Sequence, residues 1–326
     1  MATVVRSFAK INIGLRIGPL REDGFHELRT IYQTLDFHDV IKVEVGRGAG
    51  IEISCKNPQV PTDESNTCWR VAERVLESLK VRGKVRIAIE KKMPVRGGLG
   101  AASSNAVATM LALERALKLQ LTAAERLRIA AEVGSDLPLF LIGGAVLGLG
   151  RGEQVHAVED LPSLDCVTAT PNIGVSTPEA FAEWDGKLTG QEASDRIKTF
   201  SQSVYEWLSG SKFSPTGVPA KGRGRAEALL LDLVRAGIEN DFERVVFPKH
   251  PSLREIKRVL ERSGADYVSL SGSGSTIYGL FAKRLKAVEA ARKLGQSGVP
   301  AQAWKTLTRN QYWKELFPGS GELRKI

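Results

Sequence analysis

Four short stretches of this 326-residue chain hold residues able to do chemistry. The richest runs from Pro94 to Ala106, Pro-Val-Arg-Gly-Gly-Leu-Gly-Ala-Ala-Ser-Ser-Asn-Ala. Gly97, Gly98 and Gly100 let the backbone turn tightly and approach a ligand with no side chain between. A helix expected from about 102 to 117 points unpaired N–H groups and its positive dipole end at the same place. Ser103 and Ser104 add hydroxyls. A strand, then glycines, then a helix make an anion site sized for a phosphate chain. The plainer alternative is a loop-to-helix corner built of small residues for packing; the order of elements favours phosphate. The loop is not a Walker A loop, because no lysine opens the helix. It is not a dinucleotide fingerprint, because Ser103 replaces the third glycine and no second strand ends in an acid. Nor is it a protein-kinase loop, since neither His-Arg-Asp nor Asp-Phe-Gly occurs.

The other three stretches are weaker alone. Lys10 and Asn12 are two residues apart on an alternating strand, so both side chains share one face. A lysine there would neutralise phosphate or help ionise a hydroxyl; by itself it reads as a solvated strand lysine. Gly134-Ser-Asp-Leu-Pro138 places Asp136 between a helix stop and an apolar segment, where a carboxylate is a candidate general base. Its bland reading is a helix cap. Asp23-Gly-Phe-His-Glu-Leu28 is a turn from which Phe25 and His26 emerge side by side, an aromatic face beside a hydrogen-bonding ring. That pair would hold a planar base, or simply end a hairpin.

The elements that must position these residues follow from periodicity. Ala9, Ile11, Ile13, Leu15 and Ile17 alternate with polar or small residues, which predicts a half-buried strand. Strand patterns also cover 28–35, 40–45 and 51–55; the last two flank Gly46-Arg-Gly-Ala-Gly50 as a hairpin would. A helix is expected from Asn66, with Val71, Ala72, Val75, Leu76 and Leu79 on one face, and a strand over 85–89. Thr122-Ala-Ala-Glu125 is a capping box and Gly134 a stop. Short strands are expected at 145–149, 155–158 and 166–170, and Thr177-Pro178 reads as a cap with proline at the first helical position. A helix is expected near 197–208. A helix at 252–262, strands at 267–270 and 276–281, a helix at 285–294 and a strand at 302–307 make most of a ferredoxin-like split unit.

Composition narrows the class. The net charge is +9, charged residues are 25% and hydrophobic residues 42%, the values of a soluble globular protein. Cys55, Cys68 and Cys166 have no metal-ligand spacing and cannot all pair, which fits a reducing cytoplasm. No signal segment is visible, and the most apolar run, 137–150, is too short and too broken by glycine for a bilayer. No aromatic-interleaved basic face suggests nucleic acid, so neither nucleic acid nor membrane is an expected partner. Lys212, Lys221, Arg223 and Arg225 lie in a basic stretch, 209–225, to which no function is assigned.

Taken together, Phe8-Ala-Lys-Ile-Asn12, Asp23-Gly-Phe-His-Glu-Leu28, the loop from Gly97 to Asn105, Gly134-Ser-Asp-Leu-Pro138, Gly150-Arg-Gly-Glu153 and Leu270-Ser-Gly-Ser-Gly274 occur in an order that resembles the GHMP small-molecule kinases. The resemblance covers residues 3–180 well and 240–307 moderately. It implies an α+β fold of two lobes, ribosomal-protein-S5-like over 1–165 and ferredoxin-like over 166–326, with substrates between them. The first two motifs imply the branch that uses ATP to phosphorylate the 2-hydroxyl of a diphosphocytidyl methylerythritol, in non-mevalonate isoprenoid synthesis. By the same resemblance Asp136 is the catalytic base and Lys10 its neighbour. Asn12, Phe25, His26, Thr177 and Phe181 face the acceptor, a cytidine diphosphate small molecule. Pro94, Gly97, Gly98, Leu99, Gly100, Ala101, Ala102, Ser103 and Ser104 cradle the ATP phosphates, and Asn66 and Lys91 lie near the adenosine. Mg²⁺ is expected with unknown ligands, and the assembly is expected to be a monomer or homodimer. The family usually has tyrosine at Phe25 and a loop richer in glycine where this chain has Arg96, Ala101 and Ala102. The other readings are a homoserine, mevalonate or sugar kinase of the same family, and a nucleotide-binding regulator without transfer.

Overall fold

A computed structural model describes residues 2–185, 190–210 and 238–318. Most of the basic stretch at 209–225 lies outside them. The first sheet is built on two very long strands, β1 (Thr3–Leu20) and β2 (His26–Gly46), paired antiparallel along nearly their whole length. β2 thus joins the segments expected as two strands. On its other edge β2 pairs β4 (Lys84–Glu90) at one end and β5 (Ala145–Leu149) at the other, and β6 (Gln154–Ala157) follows β5.

The hairpin expected across Gly46–Gly50 does not form. β3 (Gly50–Cys55) pairs parallel with β4, which is inserted between β2 and β3. Parallel neighbours need a crossover helix, and α1 (Thr67–Ser78) supplies it. Asn66 caps α1, its side chain accepting from the Cys68 N–H at 2.9 Å.

β1 also departs from its expected half-burial. Residues 5 and 7–15 are all buried, because helices cover one face of the sheet and the second lobe covers the other. α2 (Ala101–Leu117), α3 (Ala123–Val133) and α1 pack on the first face, with Phe8, Val43, Ile87 and Met110 in the shared core. Ala9, Ile11 and Ile13 point the other way, toward Tyr278 and Leu280. Lys10 and Asn12 therefore sit on no solvated face; they are 3% and 1% exposed.

The second sheet runs β10 (Ala301–Lys305), β7 (Asp165–Ala169), β9 (Ile277–Phe281), β8 (Tyr267–Leu270), all antiparallel. By chain order within that sheet this is 4-1-3-2, the pattern of a split β-α-β-β-α-β unit. α4 (Thr177–Asp185), α5 (Gly190–Gly210), α6 (Glu243–Lys249) and α7 (Pro251–Arg262) lie between β7 and β8; α8 (Arg284–Gln296) joins β9 to β10. A last helix, α9 (Arg309–Leu316), leaves this lobe and packs Tyr312 and Leu316 into the first core. Among the described residues no helix is long and apolar enough to cross a membrane.

One buried carboxylate ties both stems of the glycine loop to the sheet. Asp39, on β2 and fully buried, accepts from the Lys92 and Met93 N–H groups and the Lys91 ammonium, each at 2.7 Å, and from Asn105 Nδ2 at 3.1 Å. Four donors from both sides of the glycine loop converge on it, so the loop's two stems are fixed to β2. Asp39→Ala would leave the Lys91 ammonium, itself only 7% exposed, without its counter-charge. We expect a loss of about 3–5 kcal/mol in urea unfolding, the range for breaking a buried pair. A loss below about 1 kcal/mol would mean the stems are held elsewhere.

Candidate active site

β1 carries Lys10 and Asn12 to the mouth between the lobes, two residues apart on one face. The Lys10 ammonium donates to Asn12 Oδ1 at 2.6 Å and lies 3.4 Å from Asp136 Oδ2. Asn12 in turn donates to Thr30 Oγ1 at 2.9 Å, and Thr30 to the Gly14 carbonyl at 2.8 Å, which fixes the amide with its oxygen toward the lysine. A buried ammonium must be paired, and these oxygens pair it.

Asp136 sits in the turn after α3, where Gly134 ends the helix. It does not act there as a cap. One carboxylate oxygen accepts from the Tyr32 hydroxyl at 3.0 Å and the other faces Lys10. Burial, and then the Asp136 charge, push the Tyr32 phenol well above its ordinary value, so it remains a proton donor. The carboxylate is about one-third exposed, which leaves an edge open to the cavity. Tyr32 carries no signal in the sequence; only the fold, which sets it opposite Asn12 on β1, shows that it meets Asp136.

The glycine loop is held by close approaches. Gly100, at φ +69°, has no room for a Cβ, which would lie 2.9 Å from Lys10 Cγ and 3.0 Å from Phe140. The Lys10 N–H donates to the Leu99 carbonyl at 3.0 Å, joining loop and strand. Gly98, at φ +77°, lies against the other lobe: a Cβ there would be 2.1 Å from the Ser271 carbonyl oxygen. Ser271 Oγ donates to the Gly98 carbonyl at 2.9 Å, and the Thr276 N–H to that of Gly97 at 3.2 Å. The small residues of Ser271-Gly-Ser-Gly-Ser275 thus interlock with the glycine loop.

Two cavities meet at that loop. One, about 670 Å³, is lined by Lys10, Asn12 and Asp136 at one end and by Phe25, His26, Thr177 and Phe181 at the other. The second, about 380 Å³, is lined by Asn66, Lys91, Pro94, Gly97, Leu99, Ala101 and Ala102. Gly98, Gly100 and Ser103 line both, so the loop and the first turn of α2 are the wall between them. Ser104 lines neither; it is buried and accepts from Ser7 Oγ at 2.8 Å. The polar heads of Asn66 and Lys91 are engaged inside the protein, on the α1 cap and on Asp39.

Phe25 and His26 diverge at the end of the first cavity. Phe25 is 51% exposed, and the Arg151 guanidinium lies 4.8 Å from its ring centroid. His26 is buried, its ring parallel to Phe181 at 5.4 Å, with Nε2 2.7 Å from Asp185 and Nδ1 3.0 Å from the Gly18 carbonyl. Thr177 is the first residue of α4, and its hydroxyl bonds Ser273 at 2.7 Å instead of capping the helix.

Among the described residues no cluster of three or more His, Cys, Asp or Glu side chains is placed to hold a metal ion. What the site offers a cation is oxygen beside the glycine loop, with Ser103 lining both cavities. That donor set fits Mg²⁺ carried on nucleotide phosphates, and it does not fit a resident transition metal.

This geometry has counterparts in known proteins. Residues 66–144 match the GHMP kinases N terminal domain and residues 226–300 the GHMP kinases C terminal domain. The chain is 35% identical over 296 residues to the 4-diphosphocytidyl-2-C-methyl-D-erythritol kinase of Solibacter usitatus, covering 90% of this chain and 85% of that protein. It is 33% identical to the kinase of the same name from Geobacter sulfurreducens, covering 92% and 97%. A crystal structure of 4-(cytidine 5'-diphospho)-2C-methyl-D-erythritol kinase superposes with a TM-score of 0.68 at 28% identity, covering 93% of this chain and 98% of that one. Homoserine kinase from Cytophaga hutchinsonii superposes with a TM-score of 0.72 at 18% identity, covering 94% and 95%, a likeness of fold.

The contact at Gly98 makes a separable prediction. Gly98→Ala should lower both the melting temperature and the affinity for ATP measured by calorimetry. Gly24→Ala is the control: its φ is +78° but nothing lies within 4 Å, so it carries the left-handed strain without the clash. Equal melting temperatures for the two variants would show that the Gly98–Ser271 approach is not tight.

Proposed function

Because the chain belongs to the GHMP kinase family, and within it to the family of 4-diphosphocytidyl-2-C-methyl-D-erythritol kinases, we propose that it transfers the γ-phosphoryl of ATP to the 2-hydroxyl of that methylerythritol. The observation that carries this reading is the Lys10–Asp136 pair, open to an acceptor cavity whose wall is the phosphate loop.

Each residue's part follows from its place. The nucleotide lies in the smaller cavity with its phosphates along the loop, where backbone N–H groups and the start of α2 meet negative charge. The acceptor lies in the larger cavity, its cytosine end among Phe25, His26 and Phe181 and its hydroxyl at Asp136. Ser103 is the side chain that would hold a Mg²⁺ bound with the nucleotide, and that ion would screen the phosphate charge. Asn12 and Lys10 hold the hydroxyl toward the loop, and Asp136 takes its proton as the new oxygen–phosphorus bond forms. The bond from the γ-phosphorus to the bridging oxygen breaks, and ADP carries that electron pair away. Lys10 balances the charge gathering between carboxylate and phosphoryl group. Little else is needed, because phosphoryl transfer is chiefly a matter of positioning and electrostatics. A regulator that only binds nucleotide has no use for a buried ammonium aimed at a carboxylate.

The direct test is purified protein with ATP, Mg²⁺ and a panel of acceptors, read as ADP release. The diphosphocytidyl compound should turn over, and homoserine, mevalonate and free methylerythritol phosphate should not. Asp136→Asn keeps the shape and should lower kcat by about 10²- to 10⁴-fold, the range for losing a general base, with ATP affinity nearly intact. Tyr32→Phe removes one hydrogen bond to that carboxylate and should lower kcat by roughly 10-fold, the effect of about one such bond. An Asp136→Asn enzyme with near-normal turnover would remove the base from this mechanism.

A further inference from the structure

Resting on that reading of the acceptor cavity, we infer that Arg151 reads the diphosphate linking the acceptor's two ends. The cavity joins a reacting end at Lys10 and Asp136 to an aromatic end at Phe25 and His26. Whatever links a base at one end to a hydroxyl at the other passes between them, and in this acceptor the link is a diphosphate. Among the described residues only two permanent cations line the cavity, Lys10 and Arg151. The Lys10 ammonium is already held by Asn12 and Asp136.

Arg151 stands where the link must run. Its turn is fixed to β2 by the Leu28 N–H, which donates to the Gly150 carbonyl at 2.6 Å, and is closed by the Gly152 N–H on the Leu149 carbonyl at 2.9 Å. The next residue, Gly152, is so close to the reacting end that a Cβ there would lie 2.4 Å from the Tyr32 hydroxyl and 3.9 Å from Asp136 Oδ1. The guanidinium at the tip of Arg151 meanwhile reaches Phe25. The backbone of this turn therefore stands beside the carboxylate while the Arg151 side chain reaches the base's platform. It is held there by a cation–π contact at 4.8 Å, by a Glu153 oxygen at 3.8 Å and by the charge of the nearby Asp23, none of them a close hydrogen bond to the guanidinium. A planar fork of donors is well matched to phosphate oxygens, and a stacking base would take the Phe25 face in exchange.

The test crosses two ligands with two variants. Calorimetry on the intact protein should show cytidine 5'-diphosphate bound about 10-fold or more tightly than cytidine, the effect of a hydrogen-bonded charge. In Arg151→Gln that ratio should fall toward one while cytidine binding stays, and Arg151→Lys should recover part of it. With the full acceptor, Arg151→Gln should raise its KM by a similar factor and leave kcat and the KM for ATP within about two-fold, as loss of uniform binding does. A wild-type ratio near one, an unchanged ratio in Arg151→Gln, or equal losses for both ligands would each overturn the assignment. If Arg151→Gln does not fold, the wild-type ratio across salt concentrations decides: a ratio indifferent to salt overturns it. Failure of the wild-type protein to phosphorylate the diphosphocytidyl acceptor would instead overturn the proposed function, and is read separately from these ratios.

Discussion

An ammonium removed from water must be answered by oxygen, and the answer to Lys10 organises this molecule. The group is almost wholly buried, and the cost of stripping a charge of water is several kcal/mol even after relaxation. Asn12 and Asp136 meet it from two sides, and the Tyr32 ring lies 5.6 Å from it. Asn12 needs Thr30 to hold its amide, and Thr30 needs the bend in β1 at Gly14 for its acceptor. The same lysine's backbone N–H holds Leu99, and its side chain excludes any substituent from Gly100. Strand, glycine loop and the turn bearing Asp136 are thus fixed with respect to one charge.

The two lobes contribute differently to the site. The first supplies the charged pair, Lys10 and Asp136, and the glycine loop with its helix end. The second supplies shape. Ser271 and Thr276 meet the loop through a hydroxyl and a backbone N–H, and Tyr278 donates to the Asn12 carbonyl at 2.7 Å. Asn240 donates to the Leu270 and Gly272 carbonyls at 2.8 Å each, holding the glycine-serine turn in place. Small residues in Ser271–Ser275 let that turn come within contact of Gly98, so the loop is braced from behind as well as from β1.

Much of this was legible in the sequence where the signal is local. The order of strand, glycines and helix located the tight loop between β4 and α2, and the capping box at Thr122 located α3. The helix-strand-strand-helix-strand run after residue 250 outlined the second sheet. What depended on distant partners was not legible. Period-two alternation in β1 suggested a wet face, but a sheet covered on both sides has none, and Lys10 went from an exposed position to a buried one. The hairpin at Gly46–Gly50 failed because β4, more than thirty residues on, takes the place beside β2. Asp39 and Tyr32 sit in a long strand of mixed polarity with no motif around them, and their partners come from segments that only the fold brings near. Arg151 was visible within Gly-Arg-Gly-Glu, but its reach to Phe25 spans two separate turns.

The return of α9 to the first core bears on how the chain is made. Tyr312 is 1% exposed, its hydroxyl donates to the Phe140 carbonyl at 2.7 Å, and its ring fills the space that keeps position 143 a glycine. Trp313 donates to the Ile142 carbonyl at 2.9 Å beside it. The first lobe is therefore assembled from both ends of the described chain, with the second lobe threaded between. During synthesis it waits, its last wall missing, until the ribosome has released a segment some 150 residues downstream of β6. Its completion is a late event, and the apolar surface around Phe140 and Leu139 stays open to water and to chaperones for as long as translation of the second lobe takes.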